Sequence, residues 1–192
     1  MNKNILVLSL LALTACTISA YEDDNHCSSL KVRGGVFIPQ ASLFRGIYGK
    51  ALPVVEVELA TRLWQHLELW GNIDWTGKRG HSIGLCSPTK VNIVNFSIGL
   101  TAPFDMCDCF SLYLGVGPSF GVTKLCNRLF NGANEKVSKG AVGVVVKSGA
   151  YWYVGERMFV DFFVDYLYQK VNFPTHVNVG GVKIGLGLGA TF

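Results

Sequence analysis

The sequence predicts an all-β fold: an eight-stranded antiparallel up-and-down transmembrane β-barrel with a filled interior, long extracellular loops and short periplasmic turns. Three observations predict it. Residues 181–192 alternate strictly, with Val182, Ile184, Leu186, Leu188, Ala190 and Phe192 apolar and the residues between them small or polar. Period two is the strand period, and a slip of one residue would exchange the two faces. Similar segments recur along the chain, joined by connections that alternate between short and long. That asymmetry belongs to membrane barrels, whose turns on one side are short and whose loops on the other are long. Composition agrees: 49% hydrophobic residues, 16% charged residues and 22 glycines spread through alternating segments. Glycine at that frequency argues against a helical bundle, where each costs about 1 kcal/mol. A secreted soluble β-sandwich is the competing fold, and it would stay soluble without detergent.

Residues 1–20 read as a signal peptide. Lys3 supplies the positive start, residues 5–13 a short apolar run, and Thr14, Ala15, Ser19 and Ala20 the small residues that follow. The run is shorter than the roughly twenty residues a helical span requires, and no later charge-free run reaches that length. Any span must therefore be a strand. Two processing routes stay open: cleavage after Ala20, or lipidation at Cys16 in the lipobox-like Leu13-Thr14-Ala15-Cys16. Residues 21–29 then form a periplasmic N-terminal arm and residues 30–192 the barrel domain.

The first strand is expected over 30–39, with Val32, Val36 and Ile38 opposite Arg33, Gly35 and Phe37. The second, 54–63, opposes Val55, Val57 and Leu59 to Glu56, Glu58 and Arg62. The third, 67–76, opposes Leu69, Ile73 and Trp75 to Glu68, Trp70, Asn72 and Asp74. The fourth, 90–101, sets Val94, Phe96 and Ile98 against Asn95, Ser97 and Gly99. Its start, Val91-Asn92-Ile93-Val94, breaks the alternation and predicts a bulge. The fifth, 110–123, contains Pro118, which predicts a bulge or the loop end of the strand. The sixth covers 141–154, the seventh 158–169 and the eighth 181–192. Connections at 64–66 and 155–157 are tight, 102–109 is somewhat longer, and 41–52, 77–89, 124–140 and 170–180 are long loops.

Strand phase puts Arg33, Glu56, Glu58, Arg62, Glu68, Asp74, Lys147, Asp161, Asp165 and Lys183 on the inward face. The outward face of the same strands is nearly free of charge, as a lipid-facing wall requires, since Lys or Arg there costs about 2–4 kcal/mol at the midplane. An eight-stranded barrel is just wide enough to be filled by side chains, so these groups must neutralise one another as a plug. An ion path is the alternative use of the same charges. The long loops carry Arg45, Lys50, Lys78, Arg79, Lys124, Arg128, Lys136, Lys139 and Lys170, a basic surface rim. The opposite end carries Glu22, Asp23, Asp24, Asp105, Asp108 and Glu156, relieved by Lys31 and Arg157. Such a rim suits lipopolysaccharide phosphates or an anionic host surface molecule. It serves equally to keep the loops soluble. Trp64, Trp75, Trp152, Tyr153, Tyr166 and Tyr168, near strand ends, are candidates for aromatic girdles.

Six cysteines occur in a chain bound for an oxidising compartment. Cys86 and Cys126 fall in neighbouring loops and are a disulfide candidate, while Cys107 and Cys109 share a turn on the side of Cys27. An odd count after cleavage leaves one thiol for cross-linking to another envelope protein, against a reading of the cysteines as structural, unpaired or locally paired. No spacing matches a metal site, so neither metal nor cofactor is expected. Catalysis is not expected either. His81, Ser82 and Glu135 are the nearest approach to a nucleophile with a base and an orienting group, and only loop adjacency links them. The Gly-x-Gly-x-Gly of 185–189 lies inside a strand, without the strand-to-helix junction of a phosphate cradle, and no nucleic acid partner is expected.

Phe44-Arg-Gly-Ile-Tyr-Gly49, Leu67-Glu-Leu-Trp-Gly71, Val146-Lys-Ser-Gly149, the segment 159–167 and the terminal Phe192 resemble small bacterial outer-membrane barrels, the group of OmpX, OmpW and the transmembrane part of OmpA. The resemblance spans nearly the whole mature chain and implies an outer-membrane location. It also implies that Phe192 is an assembly signal read by the barrel-assembly machinery. The expected function is a structural outer-membrane barrel whose loops contact lipopolysaccharide or host molecules. A narrow porin-like conduit and, further off, a lipid A-modifying enzyme are the alternatives.

Overall fold

The computed structural model describes residues 28–81, 88–128, 134–172 and 176–192. The expected signal peptide, Cys16, Cys27, Ser82 and Cys86 lie outside the described residues. In chain order the elements are β1 (Ser28–Pro39), α1 (Ser42–Tyr48), β2 (Leu52–Trp64), β3 (Leu67–His81), β4 (Pro88–Cys107), β5 (Phe110–Arg128), β6 (Asn134–Tyr153), β7 (Met158–Asn172), β8 (His176–Asn178) and β9 (Gly181–Thr191). Each long strand pairs antiparallel with the next, and β9 pairs with both β7 and β1, which closes the barrel. β8 extends the loop end of β7 and takes no part in closure. The eight staves are those the alternation predicts. β1 begins at Ser28, two residues earlier than expected, with Ser28 and Phe192 exchanging backbone hydrogen bonds.

The strands run longer than the sequence leads one to expect. β4, β5 and β6 have 20, 19 and 20 residues. At about 3.4 Å per residue each is some 65 Å long, where a tilted bilayer span takes only about ten residues. Most of the segments 77–89 and 124–140, expected as loops, are strand. Their Lys, Ser, Thr and Asn content resembles a loop, yet a hairpin that continues past the bilayer keeps its backbone hydrogen bonds whatever its side chains are. The β5–β6 pairing is unbroken from Phe110↔Trp152 to Arg128↔Asn134.

The bulge expected at 91–94 is absent: β3–β4 pairing continues without a shift from Glu68↔Thr101 to His81↔Pro88. Val91 and Ile93 keep the strand phase and point inward, where the lumen has turned apolar. Register shifts fall instead beside two turns, between Arg62 and Trp64 and between Asp105 and Cys107. Pro118 is neither bulge nor strand end. It faces outward in the middle of β5, opposite Val144 of β6. On its other side, the β4–β5 partnering passes from Ser97↔Ser119 to Leu100↔Val116, leaving Pro118 where no N–H is called for.

The interior has three layers. At the loop end, α1 lies across the opening, and Phe44 and Ile47 pack on Phe37, Tyr48, Leu52, Val54, Val91 and Ile93. At the turn end, Tyr113, Tyr151 and Phe159 form an aromatic floor, with Tyr113 and Tyr151 stacked 4.4 Å apart. Tyr153, a girdle candidate in the sequence, instead packs inside against Phe159. Trp64, Trp75, Trp152, Tyr166 and Tyr168 do face outward. Between the apolar layers lies a charged one.

Candidate functional site

The middle layer is built by register. Direct pairing sets Arg33 opposite Glu56, Lys31 opposite Glu58, Glu56 opposite Asp74 and Asp165 opposite Lys183. Directly opposed residues share a face, so all of these enter the lumen together. The Arg33 guanidinium lies at the centre. Its Nε is 2.5 Å from Asp161 Oδ2, its Nη1 is 3.0 Å from Glu56 and 2.9 Å from Glu58, and its Nη2 donates to the Tyr113 hydroxyl at 3.1 Å. Tyr113 in turn donates to Asp161 Oδ1 at 2.9 Å. Lys147 bridges Glu56, at 2.9 Å, and Glu58, and its ammonium lies 4.5 Å from the centre of the Trp70 ring. Lys183 pairs with Asp74, which also accepts from Asn95 at 2.9 Å.

Small residues make the room. A Cβ on Gly187 would lie 2.8 Å from Arg33 Cγ, and one on Gly189 would overlap the Phe159 ring. The alternate glycines of β9 are thus the clearance for the side chains they face.

Of the residues expected in the lumen, Arg33, Glu56, Glu58, Asp74, Lys147, Asp161, Asp165 and Lys183 lie together in this layer, each at most 2% exposed. Arg62 and Glu68 do not join them. They sit at the turn end, partly exposed and 3.9 Å apart. Lys31, read from sequence as a charge of the turn end, is buried and belongs to the layer, 2.8 Å from Glu58 Oε1 and 2.6 Å from the Tyr151 hydroxyl. Its position two residues before Arg33 was the signal available. The layer then holds five carboxylates (Glu56, Glu58, Asp74, Asp161, Asp165) against four cations (Lys31, Arg33, Lys147, Lys183). Asp165 is the least engaged, 3.8 Å from both Arg33 and Lys147. The gap beside Lys183, lined also by Phe37, Thr76, Asn95 and Leu167, has no room for a water molecule.

The second cluster is at the loop end. Arg79 of β3 stands directly opposite Lys90 of β4, whose β5 partner Cys126 is opposite Lys136 of β6. Arg79, Lys90 and Lys136 are exposed on the outward face. A cleft of about 570 Å³ opens here, lined by Arg79, His81, Thr89, Lys90 and Cys126. Lys90 is missing from the rim expected from sequence, because only the register shows that it meets Arg79. Arg45, Lys50, Lys124, Lys139 and Lys170 are exposed as well. Lys78 is less free than expected, its ammonium donating to the Ala51 carbonyl at 2.7 Å. The side chains of Arg128 and Glu135 lie outside the described residues. Cys126 carries a free thiol, and its suggested partner Cys86 is outside the described part. Under the rim, the Tyr48 hydroxyl bonds Thr89 Oγ1 at 3.0 Å, and burial pushes its pKa up. Among the described residues no three His, Cys, Asp or Glu side chains gather as a metal site.

A closed barrel with an apolar wall and an ion-paired, filled lumen defines a protein that sits in lipid. Residues 8–192 match the family described as Outer membrane protein beta-barrel domain, and the chain belongs to that family, which places it in the outer membrane. Among solved structures it is similar to Ail, the attachment invasion locus protein of Yersinia pestis, in complex with the heparin analogue sucrose octasulfate. The identity is 17%, over 87% of this chain and 99% of that one, with a TM-score of 0.56. It is similar also to Neisserial surface protein A (18%, 87% and 96%, TM-score 0.53) and to a major outer membrane protein of Thermus thermophilus (12%, 86% and 99%, TM-score 0.55). At such identities the likeness is one of fold. No curated protein matches the chain.

Proposed function

We propose that this protein is a structural, non-enzymatic outer-membrane barrel whose basic loop end faces outward and binds lipopolysaccharide phosphates. One observation carries the reading: Arg79 and Lys90 are directly opposed on one face, with Lys136 two strands further along the same row. Like charges directly opposite destabilise a sheet, and a bound anion would turn that repulsion into attraction. The turn end then faces the periplasm, and Phe192, more than half exposed, is presented to the barrel-assembly machinery. A sulfated host glycan is the second reading, favoured because the similar barrel Ail is solved with a heparin analogue.

The test is binding of the refolded protein to immobilised lipopolysaccharide and, separately, to heparin. Replacing Arg79, Lys90 and Lys136 together by Gln should weaken lipopolysaccharide binding at least about tenfold and flatten its salt dependence. Unchanged lipopolysaccharide binding with weakened heparin binding would select the second reading. No change in either would sink both.

A further inference from the structure

We propose that Cys107 and Cys109 form a thiol–disulfide exchange site at the turn end of the β4–β5 hairpin, whose substrate is a disulfide of another protein. The observation is a pair of free, exposed thiols with sulfurs 3.3 Å apart. The hairpin produces the pair. Cys107 ends β4 opposite Phe110, the first residue of β5, so Asp108 and Cys109 alone make the turn, beside a register shift at Asp105/Cys107. Folding over so few residues turns both side chains to one side, clear of the barrel wall.

The same turn differentiates the two thiols. The Cys109 thiol and the backbone N–H groups of Cys109 and Phe110 are directed at the Cys107 sulfur. These hydrogen bonds hold the Cys107 pKa below the usual thiol value, whereas the bond to Cys107 and its charge push Cys109 up. The thiolate is the attacking species in exchange, so Cys107 attacks and Cys109 resolves.

The chemistry balances without a further reagent. The Cys107 thiolate attacks one sulfur of the partner's disulfide. A mixed disulfide forms, the partner's S–S bond breaks, and its departing thiolate takes a proton from water. Cys109, losing its proton to water, attacks Cys107 Sγ, closes a Cys107–Cys109 disulfide and expels the partner's second thiolate. Two electrons pass from the barrel's dithiol to the partner, which leaves as a dithiol. Each exchange step is reversible, so a partner dithiol can return the barrel's pair to its reduced form. The structural alternative, two inert surface cysteines, predicts independent reactivity instead. The inference concerns the end of the barrel opposite the basic row and stands apart from the lipopolysaccharide reading.

The test uses the full chain refolded in detergent micelles and the aromatic disulfide dithiobis(nitrobenzoate) as the probe. Trypsin then releases residues 91–124, a peptide that holds Cys107 and Cys109 and no other cysteine. The wild-type peptide is expected two hydrogens lighter, with no adduct. In the Cys109→Ser variant the same peptide should retain one adduct on Cys107. In Cys107→Ser this peptide should label more slowly than in Cys109→Ser, because only Cys107 receives the backbone N–H groups of Cys109 and Phe110. Two adducts on the wild-type peptide, or none with both thiols still reduced, would overturn the proposal. Equal labelling rates in the two variants would overturn it too. Heat-modifiable gel migration establishes that each variant is folded.

Discussion

Arg33 carries more of the interior than any neighbour, contacting Glu56, Glu58, Tyr113 and Asp161 within 3.1 Å. Removing one member of a buried ionic cluster leaves its partners desolvated without a counter-charge, at about 3–5 kcal/mol. Arg33→Met should therefore lose stability of that order in urea titrations of the barrel folded in lipid vesicles, followed by tryptophan fluorescence. Arg33→Lys should also be destabilised, because an ammonium cannot fork to several acceptors at once. A loss below about 1 kcal/mol for Arg33→Met would mean that water replaces the guanidinium. At this scale the sequence is informative wherever strand phase alone sets direction, as for Glu56, Asp161 and Lys183. It misleads for Lys31, which follows the acidic Glu22, Asp23 and Asp24 in the sequence, and for Arg62 and Glu68, because phase says nothing about depth along the barrel.

Between elements, the closest approaches of neighbouring strands depend on glycine. A Cβ on Gly117 would lie 2.7 Å from Gly99 Cα and nearer still to the Ile98 carbonyl oxygen, and one on Gly99 would meet Gly117 Cα and the Val116 oxygen in the same way. A Cβ on Gly34 would meet nothing within 4 Å. Gly117→Ala should cost about 1–3 kcal/mol by pushing β4 from β5, while Gly34→Ala should be neutral or slightly stabilising. Equal effects in the same urea titration would show that strand separation is not limiting. This contrast is invisible in the sequence, since both glycines lie in alternating segments. The element that sequence reading assigns to a loop is α1. Its seven residues are too few for a helix to hold alone in water, and its stability comes from setting Phe44, Ile47 and Tyr48 into the barrel mouth. The apolar pair Val91 and Ile93, which suggests a bulge in the sequence, is the other half of that contact.

For the molecule as a whole, a helical cap, an ion-paired middle and an aromatic floor occupy the lumen in series. A conduit would need a continuous wet path, and the side chains leave none in the charged layer beside Lys183. Planar-bilayer recordings of the purified protein are expected to show negligible conductance. Stable channels of reproducible size would revive the porin-like reading. Sequence by itself determined which face of each strand meets lipid and how many staves there are, because the two-residue period is a local property of the chain. It also determined that the inward charges must pair, since a narrow barrel cannot leave them alone. Only the tertiary structure decided who pairs with whom, how far the hairpins rise past the bilayer, and that Arg79 confronts Lys90. Those depend on register between strands and on depth along the axis, which arise when the sheet closes and are written in no single segment.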